Sequence, residues 1–206
     1  MSNENMARVD GRTARGERAR VAVATALLDL LEEGIPEPTA GEIAARARVS
    51  ERLVFHHFRD LEALHASAAE LQMARQLPLI RPVDPGLPLE RRLSLFVRTR
   101  GRFYEKVSPV RRAAGRREPF SPEIGRRLKS GYEMARNLAC AVFSRELALM
   151  PPAEATEVSQ ALSAAASWET WDYLRTREGL PVPKAEKVVA RTIRAVLAGS
   201  RAAPRR

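Results

Sequence analysis

Apolar positions recur along the chain at helical spacing, with no strand-length run of strict alternation. Val23, Ala26, Leu27 and Leu30 form the inner stripe of a helix expected over residues 15–33, with Gly34 as its left-handed stop. Thr39 followed by Glu42 reads as a capping box opening a short helix whose apolar side is Ile43, Ala44 and Ala47. Ser50 then caps another short helix anchored by Leu53, Val54 and Phe58. Asp60 caps a fourth, with Leu61, Leu64, Ala68 and Leu71 inward, and a proline-rich loop follows it. Beyond the loop, Leu93, Phe96, Val97 and Tyr104 mark a helix predicted to stop before Ser108-Pro109, and a short helix starts at Pro109. A long helix is expected over 122–150, an eighth over 153–178, and a ninth from Pro183. The fold class is all-α, with about nine helices. A three-helix head over 15–60 precedes a helical bundle over 61–199, with a disordered arm over 1–14 and a disordered tail over 200–206.

Residues 39–58 are the most informative stretch. Two short capped helices joined by a turn too tight for one continuous helix make a helix-turn-helix, whose second helix is the type that enters a DNA major groove. Its outer surface is shared by Glu51, Arg52, Phe55, His56 and His57.

Composition bounds this reading without proving it. The net charge is +10, but residues 1–65 hold 9 Lys+Arg against 11 Asp+Glu, so the basic surplus lies outside the helix-turn-helix. Nothing resembles a signal peptide or a membrane span, and the lone Cys140 fits a reducing compartment. A cytoplasmic location with no membrane partner is expected. A Gly-rich phosphate loop, a nucleophile elbow and a convincing carboxylate pair are all missing, so no catalytic residue is assigned and no enzyme is expected. His56 and His57 are adjacent on a helix and face different ways, so neither metal nor cofactor is expected.

With these residues in view, the chain resembles the TetR family of bacterial transcriptional regulators. Arg18, Ala26, Leu27, Leu30 and Gly34 match its first helix, and Thr39, Glu42, Ile43 and Ala44 its second. Val49, Ser50, Phe55, His57, Phe58, Glu62 and Leu64 match the third and the start of the fourth. The resemblance implies a homodimer whose heads bind double-stranded operator DNA and whose bodies hold a small-molecule effector of unknown identity. Arg48 stands where the family usually has Gly, Phe55 where it has Tyr, and Leu61 where it has Lys.

The candidate DNA-binding residues are Thr39, Arg48, Ser50, Glu51, Arg52, Phe55, His56 and His57. Arg52 is assigned to base readout because its fork matches the O6 and N7 acceptors of guanine. Glu51 can equally serve the helix dipole. Candidate effector-pocket residues are Phe96, Phe103, Tyr104, Phe143, Trp168 and Trp171, although aromatics on helices are more often core. The candidate dimer interface is Val158, Ala161, Ala165, Val189, Ile193 and Val196. The leading expectation is a repressor released from a palindromic operator by its effector. One alternative is an architectural DNA-binding or protein-partner-binding protein without an effector; another is an enzyme or ligand carrier with a vestigial head.

Overall fold

The computed structural model describes residues 3–199, with side chains from residue 14 onward except that of residue 79. All regular structure among the described residues is helical: α1 (Asn3–Glu32), α2 (Ala40–Ala47), α3 (Glu51–His57), α4 (Leu61–Gln76), α5 (Leu89–Arg117), α6 (Pro122–Val142), α7 (Ser144–Leu147), α8 (Pro152–Ala165), α9 (Trp168–Asp172) and α10 (Val182–Gly199).

The chain divides into two compact units. One comprises the residues up to Leu77 with Pro109–Ile124; the other comprises Pro78–Ser108 with the residues from Gly125 on. The first unit buries Val23, Leu27 and Leu30 of α1 with Ile43, Val54, Phe58, Leu64 and Ala68. Val110 and Ala113, from the end of α5, complete that core. The head boundary expected at residue 60 therefore moves: α4 packs with the head, as does the segment 109–124. Arg75 on α4 donates to Thr25 Oγ1 of α1 at 2.9 Å, and Arg116 donates to the Pro36 carbonyl at 2.9 Å.

The second unit is a helical cluster around Leu93, Phe96, Tyr104, Phe143, Leu162, Trp171 and Ile193. Its packing is close: a Cβ on Gly101 would fall 2.6 Å from Trp171 Cη2. Arg92 and Glu146 form a buried ion pair here, 2.6 Å between Arg92 Nη2 and Glu146 Oε1.

Several helix ends differ from expectation. α1 begins at Asn3, so the arm expected to be disordered over 1–14 is helical from residue 3. Its first turns carry no apolar stripe, which is why periodicity missed them. The expected tail over 200–206 lies outside the described residues. α5 runs through Pro109 to Arg117 instead of stopping at it. Proline removes one donor but does not end a helix held by packing on both sides of it, here by Tyr104 and Val107 before and Val110 and Ala113 after. The helix expected over 122–150 breaks at Phe143, and the one expected over 153–178 breaks at Ser167, which caps α9 by accepting from Thr170 N at 3.1 Å. A π-helical turn over Tyr173–Arg177 follows α9.

Candidate functional site

The helix-turn-helix assembles as its caps dictate. Thr39 Oγ1 accepts from Glu42 N at 3.2 Å while Glu42 Oε2 accepts from Thr39 N at 2.8 Å, the reciprocal capping box. These bonds hold the Glu42 carboxyl below its ordinary range. The Thr39 hydroxyl also donates to Glu42 Oε2 at 2.8 Å, so any phosphate at this N-terminus competes with an internal partner.

The turn is made by Arg48, the only non-glycine with positive φ among the described residues (φ 57, ψ 43). Its N–H closes the end of α2 onto the carbonyls of Ala44 and Ala45. A left-handed non-glycine residue costs about 1 kcal/mol, and Arg48 is exposed. Arg48→Gly is expected to raise the thermal midpoint, by up to about 1 kcal/mol of stability. The same variant is expected to bind DNA more weakly if the side chain reaches a phosphate. Paired melting and DNA-binding assays separate the two effects.

Ser50 Oγ accepts from Leu53 N at 3.2 Å and starts α3. Val54 and Phe58 are buried and Leu53 is half-buried, so the helix is fixed by one side. Arg20 of α1 lies over the Phe58 ring, 5.2 Å from its centroid. The opposite side leaves Glu51, Arg52, Phe55 and His56 exposed, with Phe55 48% accessible. His57 is half-buried, its Cε1 3.9 Å from where a Cβ on Gly16 would stand. The structure therefore brings seven of the eight candidates, all but His57, to exposed positions on or beside α2 and α3.

Two of these positions sharpen. Glu51 folds back over the start of α2: its Oε1 would be 3.0 Å from a Cβ on Gly41. There it faces the positive end of the α2 dipole, which favours the electrostatic role over cytosine contact. Leu61 is half-buried and packs against the head core, so it contributes apolar contact. At the far end of α2, Arg46 forks onto Glu33 with contacts of 2.8 and 2.6 Å, holding that carboxyl below its usual range.

The six aromatic candidates gather in the core of the second unit. Phe96, Tyr104, Phe143 and Trp171 are buried, and Phe103 and Trp168 pack against them partly exposed. Phe96 and Phe143 meet edge-on at 5.4 Å, and Tyr104 and Trp171 lie 6.4 Å apart. Their polar atoms are placed: Trp171 Nε1 donates to Glu105 Oε1 at 2.8 Å and Trp168 Nε1 to Ser108 Oγ at 2.9 Å.

The candidate dimer residues divide by burial. Val158, Ala165, Val189 and Ile193 are buried in this unit's own core. An apolar stripe requires burial but does not specify against what. Ala161 is exposed and Val196 half-buried. Sequence reasoning also passed over Arg100, which is 7% accessible in the aromatic cluster. Its signal was available: with Phe96 and Tyr104 it recurs every four residues, on one face of α5. Among the described residues no group of acidic, His or Cys side chains is placed to hold a metal ion, and no helix is long and apolar enough to cross a membrane.

No protein-family model and no curated protein matches the sequence. Solved structures do. A transcriptional regulator from Rhodococcus sp. RHA1 superposes with a TM-score of 0.65 at 21% identity, covering 90% of this chain and 99% of its own. A TetR-family transcriptional regulator from Streptomyces coelicolor gives 0.66 at 20% identity, covering 90% and 83%. A TetR-like transcriptional regulator, also from Rhodococcus sp. RHA1, gives 0.57 at 16% identity, covering 88% and 96%. The chain has the all-helical TetR-like fold.

Proposed function

We propose that the chain is a DNA-binding transcriptional regulator, not an enzyme, and that it binds a palindromic operator as a homodimer and leaves it when a small effector binds. The observation that carries this reading is α3. It is pinned by Leu53, Val54 and Phe58 and presents Arg52, Phe55 and His56 outward from a left-handed turn at Arg48. A helix anchored on one side and polar and aromatic on the other suits a major groove, where Arg52 reads guanine and Ser50 and His56 reach bases or phosphates.

Dimerisation would use the outward sides of α8 and α10, including Ala161, Ala164 and Ala195, next to the half-buried Val196. Effector and operator then oppose each other by linkage: whatever factor the effector takes from DNA affinity, DNA takes from effector affinity.

Arg52→Ala tests the readout. It is expected to cost about 1–3 kcal/mol of discrimination at one base pair of each half-site, measured by competition between operator variants. Unchanged discrimination would remove Arg52 from that role.

A further inference from the structure

We propose that Arg100 is the anchor for a carboxylate on a largely apolar effector held against the aromatic cluster of the second unit. This rests on reading the chain as an effector-responsive regulator and names the chemistry of the effector. Arg100 lies on α5 with 7% of its surface accessible. Its Nη2 donates to Tyr104 Oη at 2.6 Å and to the Ala166 carbonyl at 3.0 Å, and Tyr104 Oη itself donates to that carbonyl at 2.7 Å. Its Nε is buried with no hydrogen-bond partner. Among the described residues, no carboxylate pairs with it.

Arg92, two turns earlier on the same helix, shows how this fold ordinarily treats a buried arginine. Arg92 is 2% accessible and all three of its nitrogens are bonded, to the Leu87 and Val142 carbonyls and to both oxygens of Glu146. At Arg100 the nearby acid is committed elsewhere: Glu105 accepts from Arg175 at 2.8 and 3.0 Å and from Trp171 Nε1 at 2.8 Å. Among the described residues, the charge on Arg100 is met by neutral groups: the Tyr104 hydroxyl, the carbonyl end of α8, and two ring faces, Phe96 at 5.4 Å and Tyr104 at 5.0 Å. A buried cation without an anion is costly, and a neutral ligand would not relieve it.

A carboxylate supplies both missing features, a negative charge and a planar acceptor for the guanidinium edge that carries Nε. The rest of the ligand would meet Phe103 and Trp168, the partly exposed members of the cluster, which calls for an aromatic or aliphatic body. Two further observations agree. The second unit's residues, 78–108 and 125–206, hold 21 Lys+Arg against 11 Asp+Glu, the chain's whole positive surplus, so its field draws anions. The turn after Trp171 is π-helical, a wide geometry common beside functional sites.

Both tryptophans of the chain, Trp168 and Trp171, belong to this cluster, so their fluorescence reports binding in the full-length protein. The probes are monocarboxylates from benzoate through 4-phenylbutyrate to decanoate, each paired with its uncharged amide. At least one acid is expected to give a saturable change, with its amide about tenfold weaker or more. Arg100→Gln is expected to weaken the acid by a similar factor while leaving the amide unchanged, and Arg100→Lys to fall between. The acid–amide comparison in the unaltered protein needs no variant to fold. Equal binding of acid and amide, or no saturable response to any acid at millimolar concentration, overturns the proposal. Operator release is scored in parallel. Acid binding without release would sink the regulatory reading and leave the Arg100 assignment standing. Release by an uncharged compound, with equal potency on Arg100→Gln, would sink the assignment and leave the regulatory reading.

Discussion

Glu146→Ala is expected to destabilise the second unit by about 3–5 kcal/mol, because it leaves a charged Arg92 buried without its anion. The pair is bidentate, with Arg92 Nη1 and Nη2 at 2.8 and 2.6 Å from the two carboxylate oxygens, and both side chains are almost wholly inaccessible. The hydrogen bond to Glu146 raises the Arg92 pKa, so Arg92 stays charged. Arg92 also donates to the carbonyls of Leu87 and Val142, tying the loop before α5 and the end of α6 to one side chain. The double variant Arg92→Met with Glu146→Leu is expected to recover most of the loss, since it removes two desolvation penalties together. Denaturant unfolding followed by Trp168 and Trp171 fluorescence checks this. Equal stability of Glu146→Ala and the native chain would show that water reaches the pair.

Lowering the pH from 6.5 towards 4 is expected to destabilise the head through His65. Burial, followed by the nearby Arg117 and Arg116 guanidiniums, lowers the His65 pKa from 6.5 to about 4. Its Nε2 is buried and has no hydrogen-bond partner. The folded pKa lies below the unfolded one. The neutral ring's contribution is therefore complete above pH 6.5 and is lost as protons bind the unfolded chain first. The lost stability approaches about 3 kcal/mol by pH 4. Carboxylates also titrate near the lower limit, so the informative quantity is a difference between two proteins. His65→Leu should flatten the pH dependence between 6.5 and 5 relative to the native chain. Identical slopes would mean that His65 is solvated.

Local signals were the legible ones. Thr39 with Glu42, Ser50, Asp60 and Gly34 act within a few residues of themselves, and each forms the expected cap or stop. The outward set on α3 follows from three apolar anchors. Features set by distant partners were not legible. Arg92 and Glu146 are 54 residues apart, with no shared spacing to join them. Pro109 reads as a helix end because its missing donor is local, whereas the packing that carries α5 through it is not. The stripes of α8 and α10 marked Val158, Ala165, Val189 and Ile193 as buried, but the chain's own core covers them. Arg100 was overlooked because a charge on an apolar stripe is usually discounted, and only the structure reveals that it lacks an anion.

The charge distribution bears on DNA binding. The head residues 1–77 and 109–124 hold 14 Lys+Arg and 14 Asp+Glu, so this unit carries no net charge. Phosphate contact would then depend on the placement of Arg48, Ser50 and His56, not on a general basic field.

Selection of bound duplexes from a random DNA pool, followed by affinity measurements across salt concentrations, tests the central claim most directly. The account predicts an enriched palindrome whose half-sites are centred about 35 Å apart or a multiple of that. It also predicts affinity that falls as salt rises and loss of the consensus with Arg52→Ala. A pool that returns without enrichment, or binding indifferent to salt and to Arg52, would contradict it.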